Sequence, residues 1–371
     1  MSELPEPDRL GDFRHPRDTS VLYGHDAAEK ALLDAFMSGR LHHAWLFTGP
    51  KGVGKATLAY RMAKFVLTYP DAKTAQAMGA SDLSVSDDMP AVRQIVSRGH
   101  PDLLTIRRPV DEKTKKPKTV IPVDEVRKTT GFFGKSSGAG GWRICIVDSA
   151  DEMNPNAANA LLKVLEEPPE RCLFLLVSHQ PGRLLPTIRS RCRQLPLAPL
   201  GGEAVAQVLA DNGVSLDPAN VAAIETLAEG SAGRALTIAD GGGLELYRDL
   251  VNLLCRIPRT DIPALHALAD KGARRGADQT FEILIDLLRD WVARAVRLGA
   301  GGPPSPDIVP GEGEAMMRLT GAGNLDRWVE VWEKIGELAT RAEALNMDRK
   351  LVILNAFSML EAAAPSGRMS A

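Results

Sequence analysis

The chain has 371 residues, of which 44% are hydrophobic and 25% are charged, with a formal net charge of −2. These values fit a folded globular chain of two or three domains, and they exclude a disordered, fibrous or strongly basic protein. Residues 1–17 are polar and no run of about 18 apolar residues is present, so we expect no membrane span and a cytoplasmic location.

The first half of the chain alternates short apolar runs with amphipathic stretches, a pattern typical of parallel strands joined by helices. We predict strands at Ala44–Thr48, Leu103–Arg107, Arg143–Asp148 and Cys172–Ser178. We predict helices at residues 26–37, 55–67, 123–133 and 156–167. The last helix is ended by Pro168 and Pro169, because proline cannot continue a helix.

After Pro199 the strand pattern is lost and helical spacing of apolar residues continues to the end of the chain, as in Phe281, Leu284 and Leu288. The second half is therefore predicted to be helical. The four cysteines are far apart and form no Cys-x-x-Cys pair, which favours buried thiols over zinc ligands or disulfides.

A glycine-rich loop follows the first predicted strand and leads into a helix. The candidate nucleotide-binding residues in this loop are Gly49, Gly52, Gly54, Lys55, Ala56 and Thr57. Backbone N–H groups of such a loop surround phosphate oxygens, the helix N-terminus adds partial positive charge, and the lysine reaches the β and γ phosphates. The order of strand, loop and helix therefore predicts a P-loop.

Two residue types needed for ATP hydrolysis are missing. Ala56 stands where a Ser or Thr hydroxyl ligates Mg²⁺, and Thr57 lies about 100° further round the helix. Asp148 ends an apolar strand as a Walker B carboxylate does, but Ser149 follows it where a hydrolysing enzyme has a Glu. Ser178, at the end of the next predicted strand, is a further candidate binding residue. These residues favour binding without catalysis.

Two motifs carry a family resemblance. Residues 159–169, Asn-Ala-Leu-Leu-Lys-Val-Leu-Glu-Glu-Pro-Pro, and Ser190-Arg191-Cys192 resemble the signatures of bacterial clamp-loader subunits, the γ/τ and δ′ proteins of DNA polymerase III. His100-Pro101-Asp102 and residues 346–350 extend the likeness over most of the chain. Within this family, residues 147–151 are similar to δ′ and not to γ/τ, whose Walker B element keeps its Glu.

The resemblance implies a fold of the α/β class: a RecA-like AAA+ P-loop module with a parallel sheet, a small helical lid and an all-α collar. We expect these domains at residues 1–199, 200–241 and 242–371. The implied function is that of a subunit of the polymerase holoenzyme that does not itself hydrolyse ATP. With γ/τ and δ, in a pentameric ring, it helps to open the sliding β clamp and load it on primed DNA.

The resemblance also implies a role for Arg191 as an arginine finger, acting in trans on ATP held by a neighbouring subunit. A guanidinium stabilises the negative charge that develops on the transferred phosphoryl group. Two alternatives stay open: a γ/τ-like ATPase motor with unusual catalytic residues, and a nucleotide-independent DNA-binding scaffold.

The chain departs from the family pattern at several points. Residues 68–100 contain no Cys, so the zinc module of many members is not expected. The sensor arginine of the lid stands one position late, at Arg234, whereas the intact P-loop leaves weak ATP or ADP binding open. A basic run, favoured as a solvated loop over a DNA contact, is formed by Arg107, Arg108, Lys113, Lys115, Lys116 and Lys118.

Overall fold

The computed structural model describes residues 6, 8–111, 117–134, 141–274, 278–321, 323–345 and 347–365. The chain divides into two compact units. Unit 1 consists of Met1–Gly213 and Gly230–Arg234, and unit 2 consists of Val214–Glu229 and Ala235–Ala371.

Unit 1 is built on a five-stranded sheet in the order β2-β3-β4-β1-β5, with every neighbouring pair parallel. Its strands are β1 Ala44–Thr48, β2 Leu103–Arg107, β3 Arg143–Asp148, β4 Cys172–Ser178 and β5 Arg193–Pro196. The four strands predicted from the sequence are confirmed at both ends. Since all strands run in one direction, Thr48, Arg107, Asp148 and Ser178 lie along the same edge of the sheet. The predicted α/β P-loop architecture is confirmed.

The fifth strand was not predicted. β5 pairs with β1 at the edge of the sheet, and most of its side chains are exposed. Its polar residues Arg193 and Gln194 give no apolar run, and Arg193 instead places its guanidinium over the ring of Trp45 at 4.7 Å. The strand exists because the parallel edge of β1 needs hydrogen-bond partners, not because its own side chains are apolar.

The helices of unit 1 cover both faces of the sheet. They are α1 Asp26–Met37, α2 Lys55–Thr68, α3 Ala72–Ala77, α4 Pro90–Val96, α5 Val123–Phe133, α6 Pro155–Glu166, α7 Pro186–Arg191 and α8 Gly202–Asp211. Helix α6 begins where the Asn154 side chain accepts a bond from Ala157 N, with Pro155 at the first helical position. Four of these helices were predicted, with end differences of one residue.

The core of unit 1 lies in two layers, one on each side of the sheet. Trp45 and Phe47 of β1 pack in the layer that contains Leu58 and Phe65 of α2. Residues on the opposite face, including Leu46, pack in the layer that contains Leu161 of α6. Because both faces are covered, the central strands are apolar at successive interior positions instead of alternating. This explains why short apolar runs identified them in the sequence.

All secondary-structure elements in the described part of unit 2 are helices. Its helices are α9 Pro218–Ala228, α11 Gly243–Leu254, α12 Ile262–Ala273, α13 Asp278–Gly299, α14 Glu312–Thr320, α15 Leu325–Leu345 and α16 Arg349–Ala363, and most of α10 Ala232–Asp240 also belongs to it. The fully buried Glu312 pairs with Arg294 at 2.8 Å and accepts a bond from Tyr247 Oη. The predicted helical second half is confirmed, and the lid and collar boundaries stay predictions.

None of the helices in the described part of the chain is long and apolar enough to cross a membrane. Cys145, Cys172 and Cys192 are buried thiols, and Cys255 is partly buried. Burial raises the pKa of the Cys172 thiol to about 11, so it stays protonated near neutral pH.

Candidate nucleotide-binding site

The P-loop connects β1 to α2 at the C-terminal edge of the sheet. Two of its glycines are required by close approach as well as by positive φ. A Cβ on Gly49 would lie 2.2 Å from the carbonyl oxygen of Leu197, and one on Gly52 would lie 2.3 Å from Ser231 Oγ. Both contacts are far inside van der Waals distance, so no other residue fits either position without movement. The third glycine, Gly54, has φ +106 and immediately precedes α2.

Lys55 is buried at the start of α2. Its Nζ donates to the backbone carbonyls of Gly49 at 2.7 Å and Pro50 at 2.5 Å. Burial lowers the pKa of this amine to about 8, while the charges of Asp148 and Asp151 act in the opposite direction. The amine therefore remains mainly cationic at pH 7, as a phosphate-binding lysine requires.

The backbone amides and the lysine of the loop suit a polyphosphate, but the loop lacks the hydroxyl group that ligates Mg²⁺. Ala56 and Thr57 lie in the first turn of α2, and Ala56 supplies only a methyl group. The carboxyl of Asp148 has its pKa raised to about 6, mainly by burial and also by the charge of Asp8. The oxygens needed for a full magnesium site are therefore not provided by the loop.

The position after the Walker B aspartate is occupied by a hydroxyl that is already hydrogen-bonded. Ser149 Oγ donates to Asp148 Oδ1 at 3.1 Å and lies 2.9 Å from Nε2 of His179. Burial lowers the pKa of His179 to about 4, and the nearby charge of Lys55 adds to the effect, so the imidazole is neutral at pH 7. Asp151 Oδ1 accepts a bond from His179 N at 2.9 Å. The residue directly after Asp148 thus offers a hydroxyl in place of a carboxylate.

Sequence reasoning did not find His179. It follows Ser178 at the end of β4, and it meets Ser149 only because β3 and β4 are neighbouring parallel strands that end at the same edge. Ser178 is fully buried, and among the described side chains its Oγ is one of those without a hydrogen-bond partner. In the pairing of β4 with β1, Ser178 lies opposite Thr48, the last residue of β1 before the P-loop.

Arg191 is the last residue of α7. One guanidinium nitrogen lies 2.7 Å from Glu166 Oε1, and another donates to the carbonyl of Thr187 at 3.1 Å. About a third of the side chain is exposed. The next residue, Cys192, is buried and anchors the end of the helix. The guanidinium is thus held at two points while part of it stays accessible.

The basic run is partly neutralised by carboxylates. Arg107 pairs with Glu6 and Asp8, and Arg108 lies 2.9 Å from Glu152. Glu152 itself is only partly exposed, and burial raises the pKa of its carboxyl. Lys113, Lys115 and Lys116 lie outside the described residues, as does Asn346 of the C-terminal family segment.

The part of the chain that contains the P-loop and Arg191 is similar to known proteins. Residues 24–201 match the family model described as DNA polymerase III, delta subunit. The chain is 40% identical over 199 residues to DNA polymerase III subunit δ′ of Pseudomonas aeruginosa, covering 53% of this chain and 54% of that protein. It is 32% identical over 224 residues to subunit δ′ of Escherichia coli, covering 60% of this chain and 62% of that protein.

A third relative is subunit τ of Escherichia coli DNA polymerase III, 31% identical over 229 residues, which cover 61% of this chain and 33% of that protein. The matches thus span little more than half the length of the two δ′ relatives. The family match covers β1 to β5 together with the P-loop and Arg191. Residues 24–201 of this chain are therefore similar to the DNA polymerase III delta-subunit family and to the δ′ subunits of two bacteria.

Proposed function

We propose that the chain is a δ′-like subunit of a bacterial DNA polymerase III clamp loader that does not hydrolyse ATP itself. It works in the cytoplasm with γ/τ and δ subunits in a pentameric ring, and helps to open the sliding β clamp and load it on primed DNA. The δ′ and τ relatives support this assignment.

One observation carries the non-hydrolysing part of the proposal. Ser149 occupies the position of the catalytic acid, and its hydroxyl is bound to Asp148 and His179. The Ser149 hydroxyl is not ionised at neutral pH and is a poor general base, and the pKa of His179, about 4, makes its neutral imidazole a weak base as well. Together with Ala56, this leaves the site without a carboxylate directly after Asp148 and without a hydroxyl at the Mg²⁺-binding position of the loop.

Arg191 is the residue through which this subunit acts on a neighbour. A partly exposed guanidinium held by Glu166 and Thr187 is suited to reach a phosphate presented from outside the chain. Stabilising charge on a γ-phosphoryl group in trans requires a cation but no catalytic machinery in the donor subunit. The chain can therefore lack ATP hydrolysis at its own site and still supply Arg191 to the site of a neighbouring subunit.

The test is reconstitution of the clamp-loader complex with Arg191→Ala. We expect ATP turnover to fall about tenfold or more at the site that the finger serves, with the complex still assembled on gel filtration. Arg183→Ala, an exposed arginine shortly before α7, is the matched control and should leave turnover unchanged. An intact complex with normal turnover would reject the role of Arg191.

Two other outcomes separate the alternatives. The intact P-loop and the τ relative favour an ATPase motor. If the chain is such a motor, the purified chain should hydrolyse ATP and should lose this activity with Lys55→Ala. Salt-sensitive DNA binding by the chain alone, unaffected by nucleotide, would instead favour a DNA-binding scaffold. We also propose weak binding of ATP or ADP at the P-loop.

A further inference from the structure

We propose that the Ser231 hydroxyl, the Gly233 backbone amide and the His25 imidazole are positioning groups that preorganise the P-loop to bind a nucleotide polyphosphate without Mg²⁺. This inference rests on the nucleotide binding proposed above and is independent of the role of Arg191. It concerns unit 1 alone, since all three residues and the loop belong to that unit.

The first observation is a strap, Gly230–Arg234, that lies directly against the P-loop. Ser231 Oγ donates to the carbonyl of Lys51 at 2.8 Å, and Gly233 N donates to the carbonyl of Gly52 at 2.9 Å. Ser231 Oγ also accepts a bond from Arg234 N at 3.1 Å, which fixes the orientation of the hydroxyl. Two successive loop carbonyls are thus held by one short segment.

The contact between strap and loop is a backbone-to-backbone contact. A Cβ on Gly233 would lie 3.0 Å from Gly52 Cα, and a Cβ on Gly52 would lie 3.1 Å from Gly233 Cα. The strap itself is anchored by the bond from Leu200 N to the carbonyl of Gly230 at 2.9 Å. Glycine on both sides lets the two chains approach closely enough for these hydrogen bonds.

His25 holds a third carbonyl of the loop. Its Nε2 lies 2.7 Å from the carbonyl oxygen of Val53, and the side chain is buried just before α1. A carbonyl oxygen only accepts, so Nε2 is the protonated nitrogen in this bond. The carbonyls of Lys51, Gly52 and Val53 are therefore all bonded to donors outside the loop.

The geometry of the peptide bond converts these contacts into oriented donors. In a planar trans peptide the carbonyl of one residue and the N–H of the next point in opposite directions. Fixing the three carbonyls therefore turns the N–H groups of Gly52, Val53 and Gly54 away from His25 and the strap. Successive backbone N–H groups aimed in this way form a site for anionic oxygens.

A second observation at the same edge also indicates a ligand. Ser178 Oγ is fully buried at the end of β4, beside the end of the strand that leads into the P-loop, and has no hydrogen-bond partner among the described residues. Buried hydroxyls are normally satisfied, so an unpaired one needs an explanation. The cationic Lys55 supplies the charge for phosphate oxygens. Since Ala56 offers no hydroxyl, this arrangement favours binding of the anion directly by protein donors.

The test is titration of the purified full-length chain with ADP and with inorganic pyrophosphate, each in Mg²⁺ and in EDTA. We expect both ligands to bind, with dissociation constants in the two buffers within about twofold. Ser231→Ala should weaken binding of both ligands about 3- to 10-fold, because one orienting hydrogen bond is lost. Ser97→Ala is the matched control and should bind as the unaltered chain does, because the Ser97 hydroxyl donates to the carbonyl of Gln94 at the end of its own helix.

His25→Gln tests the same claim from α1, and its affinity for pyrophosphate should fall in the same direction. A merely structural role would lower the melting temperature of a variant without changing its affinity for pyrophosphate at temperatures where it is folded. The proposal is overturned if the unaltered chain binds neither ligand, or if both variants bind normally. A tenfold gain in affinity from Mg²⁺ would overturn the metal-independent part. None of these results depends on the outcome of the Arg191→Ala reconstitution.

Discussion

At the scale of single residues, Glu6 is the centre of an ion-pair network at the start of the chain. Its carboxylate accepts two bonds from Arg17, at 2.7 and 2.6 Å, and further bonds from Arg98 and Arg107. Arg17, Arg98 and Arg107 also line a cavity of about 210 Å³. Glu6, Asp8 and His15 could in principle hold a metal ion, but these arginines already neutralise the carboxylates. The network therefore fixes the N-terminal segment against β2.

The pKa of Glu6 gives this network a pH dependence. Hydrogen bonding from Arg17 is the main cause that lowers the pKa of Glu6 from 4.5 to about 2. The folded state then binds fewer protons than the unfolded state between these values, so stability rises with pH from about 2 to 4.5 and is fully present above 4.5. Glu6→Gln should lower the free energy of unfolding by about 1–2 kcal/mol at pH 7, allowing for solvent screening.

Urea unfolding at several pH values checks this prediction. The difference between Glu6→Gln and the unaltered chain should shrink as the pH falls from about 4.5 towards 2. Glu203→Gln, which alters an exposed carboxylate on α8, serves as the control. A difference that stays constant over this range would show that the ion pairs with Glu6 do not supply the stability.

At the scale of secondary-structure elements, the Glu166–Arg191 pair joins the end of α6 to the end of α7. Both side chains are partly exposed, so the pair contributes at most about 1 kcal/mol, a factor of about 5 in an equilibrium. Its effect is to hold the guanidinium in one direction.

Glu166→Gln keeps the shape of the side chain and removes its charge, so it should reduce turnover of the reconstituted complex about two- to fivefold.

The double variant Glu166→Gln with Arg191→Ala distinguishes positioning from an independent effect. If Glu166 acts only through Arg191, the double variant should turn over ATP at the rate of Arg191→Ala alone. Glu167→Gln, an exposed neighbour, is the control for a change of charge at this end of α6. Additive losses in the double variant would contradict the positioning role.

At the scale of the whole molecule, the proposed nucleotide binding and the proposed lack of ATP hydrolysis depend on different residues and can be tested separately. Ala56→Thr would return a hydroxyl to the position that ligates Mg²⁺, but Ser149 would still lack a carboxylate. We expect the affinity for ADP to become several-fold dependent on Mg²⁺, with phosphate release still at background. Ser97→Ala, at the end of α4, should change neither measurement. Sustained ATP hydrolysis by Ala56→Thr would show that the missing metal ligand, and not Ser149, is what prevents catalysis.

Much of the fold and part of the site could be predicted from the sequence. The four central strands were predictable because they are short apolar runs bounded by polar residues, and the P-loop because its glycines and lysine are contiguous. The edge strand β5 was not, since its polar side chains have no periodic pattern. The half-buried state of Glu152 was not predicted either, because its partner Arg108 belongs to another segment of the chain.

The sequence by itself determined which chemical groups are present at the candidate nucleotide site: three glycines and Lys55, with Ala56 and Ser149 where hydrolysis needs a hydroxyl and a carboxylate. Only the tertiary structure decided what surrounds them. The loop carbonyl of Val53 meets His25 from 28 residues away, and that of Lys51 meets Ser231 from 180 residues away. A motif of neighbouring residues can be identified from the sequence alone. Hydrogen bonds between distant segments depend on how the chain returns to the sheet edge.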